Sequence, residues 1–196
     1  MDFNQWRGQY DTLTFEQQQE YHSELEALYP DQAHYDLDAA KKAFEIVKPA
    51  WVIEAGAWKG NLAAEILSKS DCISQWYAFE LCPAAIARTV CNDVRFRYAS
   101  FNTFNWWVNN PLVCDLFIAT HFIEHLSFAH LSEMIKSVKS KHIYFEAPLT
   151  DSGENWDNFH GTHKLEVGWS RVSEWLLLHG YKKIDITNHC KLFERG

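Results

Sequence analysis

Basic residues are scarce in this chain. Of 196 residues, 18 are Lys or Arg against 26 Asp or Glu, a net charge of −8 with His neutral. That balance argues against sequence-independent binding to nucleic acid, which depends on neutralising phosphates with cations. Long apolar runs are absent too: none approaches the length that spans a bilayer, so no membrane association is expected. The opening Met-Asp-Phe-Asn-Gln-Trp is polar and aromatic, without the apolar stretch of a secretory signal. No Cys-x-x-Cys pair occurs. Cys72, Cys82, Cys91, Cys114 and Cys190 are odd in number and scattered, mostly in or beside apolar segments. Such a set reads as reduced thiols and predicts a cytoplasmic protein. Internal repeats and low-complexity stretches are missing as well.

What the chain has in quantity is aromatic surface: 15% of residues, nine of them Trp, which suits a packed body with apolar pocket walls. Residues 14–29 read as a helix capped by Thr14 and stopped before Pro30. Residues 36–48 read as a second, capped by Asp36 or Asp38, with Ala40, Ala43, Phe44 and Val47 on one face. Residues 1–49 are therefore expected to form a helical extension packing on a core domain, 50–196. From residue 50 strand and helix alternate. Strands are expected at Trp51–Glu54, Trp76–Glu80, Val94–Tyr98, Leu112–Thr120 and His142–Glu146. Helices are expected at Asn61–Ser68, from Pro83 onward, and after Ser127, where Leu131, Met134, Ile135 and Val138 share a face. A last helix, Arg171–His179, would be capped by Ser170 and ended by Gly180. Strands Tyr181–Ile186 and Cys190–Glu194 close the chain around the turn 187–189. The alternation implies an α/β fold, a parallel sheet with helices on both faces; the short final link makes the closing pair antiparallel.

The chemistry concentrates where the first strand ends. Residues 51–60 read Trp-Val-Ile-Glu-Ala-Gly-Ala-Trp-Lys-Gly, an apolar run closing in a glycine turn that opens a helix. Such a turn lets backbone approach a ligand closely. Glu80, at the end of Trp-Tyr-Ala-Phe-Glu, is placed to grip a ribose diol from the neighbouring strand. Together they suggest an adenosine-containing cofactor. A helix-packing glycine turn and a solvated strand-end glutamate are the plain alternatives. The spacing Gly56-x-x-x-Gly60 lacks the tight Gly-x-Gly that seats a dinucleotide pyrophosphate.

The turn instead resembles the first motif of class I S-adenosylmethionine-dependent methyltransferases, Asp/Glu-x-Gly-x-Gly-x-Gly. Glu54, Gly56 and Gly60 match, and Trp58 stands where the middle glycine is expected. The segment Asp115-Leu-Phe-Ile-Ala-Thr-His-Phe-Ile-Glu-His-Leu126 is similar to the family's fourth strand and its Leu-Glu-His-Leu ending. The resemblance covers about residues 50–195. It implies a Rossmann-like methyltransferase sandwich: a mostly parallel seven-stranded sheet, its last strand antiparallel beside the fifth, with N-terminal helices. It implies S-adenosyl-L-methionine as cofactor, held by Glu54, Gly56, Ala57, Trp58, Gly60, Glu80, Leu81, Thr120 and His121. Ser100 and Phe101 stand where the family commonly has Gly-Asp-Ala beside the adenine.

His121 would point into the cleft and is the first candidate base. Glu124 and His125 would sit early in the next helix in a capping or structural role. The loop 147–164 gathers Asp, Asn, Trp and His beside the cleft, which suits substrate recognition. It adds His160 and His163 as catalytic candidates; a metal role lacks a third ligand, and no metal is expected. The reading is methyl transfer to a small-molecule acceptor, such as a sugar, nucleotide or natural-product hydroxyl or amine. The alternatives are a non-catalytic binding or assembly protein of the same fold and a metal-dependent, hydroxylase-like enzyme. Neither the acceptor nor the oligomeric state follows from the sequence.

Overall fold

Helix α1 (Phe15–Leu28) begins with a reciprocal pair of hydrogen bonds. The Gln17 amide donates to Thr14 Oγ1 at 3.3 Å, and the Thr14 amide donates to Gln17 Oε1 at 2.8 Å. This capping box satisfies two amides that the helix itself cannot pair. The computed structural model describes residues 13–28, 35–100, 112–149, 165 and 167–196. Helix α2 (Leu37–Val47) is capped by Asp36, which accepts from the Ala39 amide at 3.0 Å, and it ends at a left-handed Lys48. Its Ala39, Ala40, Ala43 and Phe44 are buried, and the Phe44 ring stacks on Trp76 at 5.4 Å.

The alternation then runs β1 (Trp51–Ala55), α3 (Asn61–Leu67), β2 (Gln75–Glu80), α4 (Pro83–Ala87), β3 (Phe96–Ser100) and β4 (Leu112–Thr120). A single 3-10 turn, Ile123–His125, precedes α5 (Phe128–Ser137), which leads directly into β5 (Val138–Glu146). Helix α6 (Trp169–Leu178), β6 (Tyr181–Asp185) and β7 (Cys190–Arg195) complete the chain. The strands form one sheet in the order β3-β2-β1-β4-β5-β7-β6. Strands β1 to β5 pair in parallel; β7 lies antiparallel to both β5 and β6. This is the sheet that the resemblance implies, antiparallel strand included.

Alternating strand residues supply two cores. Ile53, Ala55, Phe79, Phe117 and Phe145 face α5 and α6, whereas Val52, Trp76, Leu116, Ile118, Tyr144 and Leu192 face α2 and α3. Helix α2 is thus part of the same packed sandwich as the strands. The order reverses between β1 and β4, and ligands of open α/β sheets bind in the crevice at such a reversal.

Several boundaries differ from expectation, each for a local reason. Strand β3 starts at Phe96, not Val94. Asp93 Oδ1 takes the Arg95 amide at 2.9 Å in a tight turn, and Val94 is left 81% exposed. The Arg95 guanidinium meanwhile donates to Leu67 O, Ser70 O and Ile73 O around the end of α3. Ser127 does cap α5, but the helix stops at Ser137. Val138 opens β5, whose first five residues alternate buried and exposed. Ser170 does not cap α6: the helix already begins at Trp169, with Gly168 as its cap and no side-chain bond there. Glu124 and His125 lie in the 3-10 turn, ahead of the helix.

Candidate active site

Three loops at the carboxyl ends of β1, β2 and β4 meet at the reversal. In the first, Gly56, Trp58 and Gly60 all lie at positive φ, +71°, +49° and +74°. Trp58 therefore keeps the left-handed backbone that a glycine would adopt, at a cost of about 1–2 kcal/mol for a residue with a Cβ. The Gly56 and Ala57 amides both donate to Phe79 O, at 2.9 and 3.3 Å. A Cβ on Gly56 would lie 2.8 Å from the Phe122 ring, so this position has no room for a side chain. Ala57 itself is buried in the α2–α3 core.

Glu80 ties the first loop to the second. Its Oε2 accepts from the Trp58 amide at 2.8 Å, and its Oε1 accepts from the Leu81 and Cys82 amides at 2.8 and 2.9 Å. Burial raises its pKa, against the lowering pull of those three amides. A carboxylate offers about four acceptor sites, so one remains for a ligand. Glu54 points elsewhere: it is buried and accepts from Trp76 Nε1 at 2.9 Å. Around these groups, Trp58 Nε1, Asn61 Oδ1 and Tyr98 Oη are buried with no hydrogen-bond partner among the described residues.

Helix α1 reaches across the same loops. Buried Glu26 pairs with Lys59 at 2.8 Å and with Arg88 at 2.8 Å, and these cations hold its carboxyl below the usual range, Lys59 first. Ser23 Oγ lies 3.8 Å from Cys82 Sγ.

The third loop carries His121, again at positive φ, +47°. Its amide donates to Glu146 O at 2.8 Å, an extension of the Thr120–Glu146 register of β4 and β5. Its ring lies between two carboxylates, with Nδ1 3.3 Å from Glu124 Oε1 and Nε2 3.6 Å from Glu146 Oε1. Desolvation pulls the imidazole pKa down. The Glu124 and Glu146 bonds and charges outweigh that pull and lift it to about 9. His121 is thus a cation at neutral pH, with each ring nitrogen turned toward an acid. In Glu124→Gln, the His121 titration followed by NMR is expected to move from about 9 toward the ordinary 6.5; no movement would remove Glu124 as the cause.

Beside His121 opens a cavity of about 300 Å³, lined by Asp36, His121, Glu146, Pro148, His189 and Cys190 among others. Glu146 is 4% exposed and held through both of its oxygens. Oε1 accepts from the Asp36 amide at 2.6 Å, and Oε2 accepts from the Tyr144 hydroxyl at 3.2 Å.

The structure thus brings Gly56, Trp58, Gly60, Glu80 and Leu81 to one loop cluster, and Thr120 and His121 to the next strand tip. Ser100 ends β3 opposite Glu80 in register, though its side chain lies outside the described residues, as do Phe101, His160 and His163. Asp36, Glu124 and Glu146 are the site groups that sequence reasoning read only as caps or strand ends. The position of Glu146 at the carboxyl end of a parallel strand was the available signal. Among the described residues, no group of three His, Cys, Asp or Glu side chains could hold a metal ion, and no helix is long and apolar enough to cross a membrane.

No protein-family model and no curated sequence matches the chain. Solved structures do. Magnesium protoporphyrin IX methyltransferase from Synechocystis PCC 6803, with bound SAH, superposes with a TM-score of 0.64 at 10% identity, over 93% of this chain and 99% of that one. A putative caffeoyl-CoA O-methyltransferase from Staphylococcus aureus gives 0.63 at 17% identity, over 96% and 95%. The DhpI–SAH complex gives 0.63 at 14%, over 91% and 94%. With its strand order and antiparallel β7, the chain has the Rossmann-like class I methyltransferase fold.

Proposed function

We propose that this protein transfers a methyl group from S-adenosylmethionine to a small-molecule acceptor. The observation that carries the reading is the loop cluster at the sheet reversal. Left-handed positions at residues 56, 58 and 60 lie there against a buried strand-end acid, and three buried polar atoms nearby lack partners among the described residues. These features fit the cofactor. Gly56 and Gly60 give backbone access, Glu80 keeps an acceptor site for a ribose hydroxyl, and Trp58 Nε1, Asn61 Oδ1 and Tyr98 Oη are unpaired. Two non-glycine residues held at positive φ on adjacent strand tips, Trp58 and His121, mark a place where strain is kept for use. SAH in two structures of the same fold supports the same cofactor here.

When bound, the sulfonium supplies an electrophilic methyl carbon. The chain's own part is to align the acceptor and exclude water, and orientation of this sort can lower a barrier by about 7–11 kcal/mol. Lys59, drawn onto Glu26, fastens the glycine turn beneath α1. His121 starts protonated between Glu124 and Glu146, so it serves as a fixed charge before it serves as a base.

The test is binding, then turnover. At a hundredfold excess over Kd, SAH should stabilise the fold by about 2.7 kcal/mol. That corresponds to a melting-temperature rise of about 5–10 °C for a domain of this size. A cofactor with an isotopically labelled methyl, incubated with metabolite extract, should then label one product. No thermal shift at millimolar SAH or S-adenosylmethionine would overturn the reading.

A further inference from the structure

The cavity beside His121 differs in character from the cofactor cluster. Its titratable lining among the described residues is two acids, Asp36 and Glu146, and two imidazoles, His121 and His189. Glu146 stands at the tip of β5 with its carboxylate locked by the Asp36 amide and the Tyr144 hydroxyl. Asp36 stands opposite at the start of α2, and Glu124 is buried behind the His121 ring. One imidazole is shared between Glu124 and Glu146, which leaves an excess of negative charge at the wall. Lys191, the nearest β7 cation, is turned to other work: its Nζ donates to Thr187 O at 3.0 Å and lies 5.9 Å above the Trp169 ring. The second oxygen of Glu124 is buried without a hydrogen-bond partner among the described residues. The remaining wall is the His189 side chain together with Ala147, Pro148 and Cys190, which are apolar or nearly so.

We propose that this cavity is the acceptor subsite and that it takes a small molecule carrying a protonated amine, held by Glu146 and Asp36 with its apolar body against Pro148 and Cys190. The identity of the neighbouring cofactor rests on the methyl-transfer reading; the charge preference of the cavity does not. A carboxylate or phosphate acceptor would meet like charge across a low-dielectric wall, and a hydroxyl would gain no ion pair. The volume admits one ring or a short chain, which sets the size class.

Three isosteric probes test this: phenethylamine, 2-phenylethanol and phenylacetate, titrated calorimetrically at pH 7 with and without saturating SAH. The amine should bind at least about tenfold tighter than either partner, the scale of one hydrogen bond to a charged group. Asp36→Asn keeps a helix cap of equal rank, and Glu146→Gln keeps an oxygen for the Asp36 amide. Each should cut amine affinity severalfold and leave 2-phenylethanol within about twofold. Equal or tighter binding of phenylacetate or 2-phenylethanol, no binding of any probe, or unchanged amine affinity in both variants would overturn the proposal. An amine preference in a protein that ignores SAH would keep the amine site and overturn its acceptor role together with the methyl-transfer reading.

Discussion

Glu80→Ala is expected to weaken SAH binding about a hundredfold, which corresponds to about 2.8 kcal/mol. A hydrogen bond from a ribose hydroxyl to a carboxylate is worth about 1.5–3 kcal/mol. The rest follows from disorder of the turn, because Glu80 is the acceptor for the Trp58, Leu81 and Cys82 amides. Trp58 holds a left-handed backbone that its own Cβ opposes, and the bond to Glu80 helps to keep it there. The variant should therefore melt lower even without ligand. Measuring Kd and the ligand-free melting temperature together separates the two effects. Unchanged affinity beside a lowered melting temperature would reduce Glu80 to a loop clasp.

The second large effect concerns Glu54, whose fully buried carboxyl is pushed up to about 8 by desolvation, only partly offset by the Trp76 indole. An acid with a native pKa above its ordinary 4.5 keeps its proton in the fold and loses it on unfolding. Its contribution to stability is whole below about 4.5 and drains away as pH rises toward about 8. Glutamine has no proton to lose and can still accept from Trp76 Nε1. Glu54→Gln should thus be more stable than the parent by about 3 kcal/mol at pH 7, at about 1.36 kcal/mol per pH unit above 4.5. Near pH 4 the two should converge. Urea titrations across pH 4–8 decide it: a difference independent of pH would mean that Glu54 is ionised in the fold. If Glu54 also touches the cofactor, the stabilised variant should bind SAH less well; equal binding would confine it to the core.

The framework of this site was legible because its signals are local. The glycine turn, the acid ending β2 and the span of β4 each lie within ten residues of sequence, and β4 runs from Leu112 to Thr120 as its pattern predicts. What escaped depends on partners far apart in the chain. The protonation of His121 is set by Glu124 together with Glu146, and Glu146, 25 positions on, is brought within reach only by the parallel pairing of β4 with β5. Glu26 meets Lys59 across the gap between a helix and a loop that no periodicity links. The start of β5 was hidden because Val138 continues the apolar face of α5 and also begins the alternation of the strand. The first turn of α6 was hidden because Gly168 forms no side-chain bond, while Ser170 has the residue type of a cap.

Strand β7 forms last in chain order yet lies inside the sheet, paired on one flank to β5 and on the other to β6. Until it inserts, both neighbours present open edges, and β5 offers a nine-residue template, apolar over Ile143–Phe145, to any passing strand. Assembly therefore waits on a late, long-range closure, the kind of topology that folds slowly and aggregates when crowded. Substitutions that weaken Leu192 or Phe193 should lower the yield of soluble protein well before they touch the chemistry.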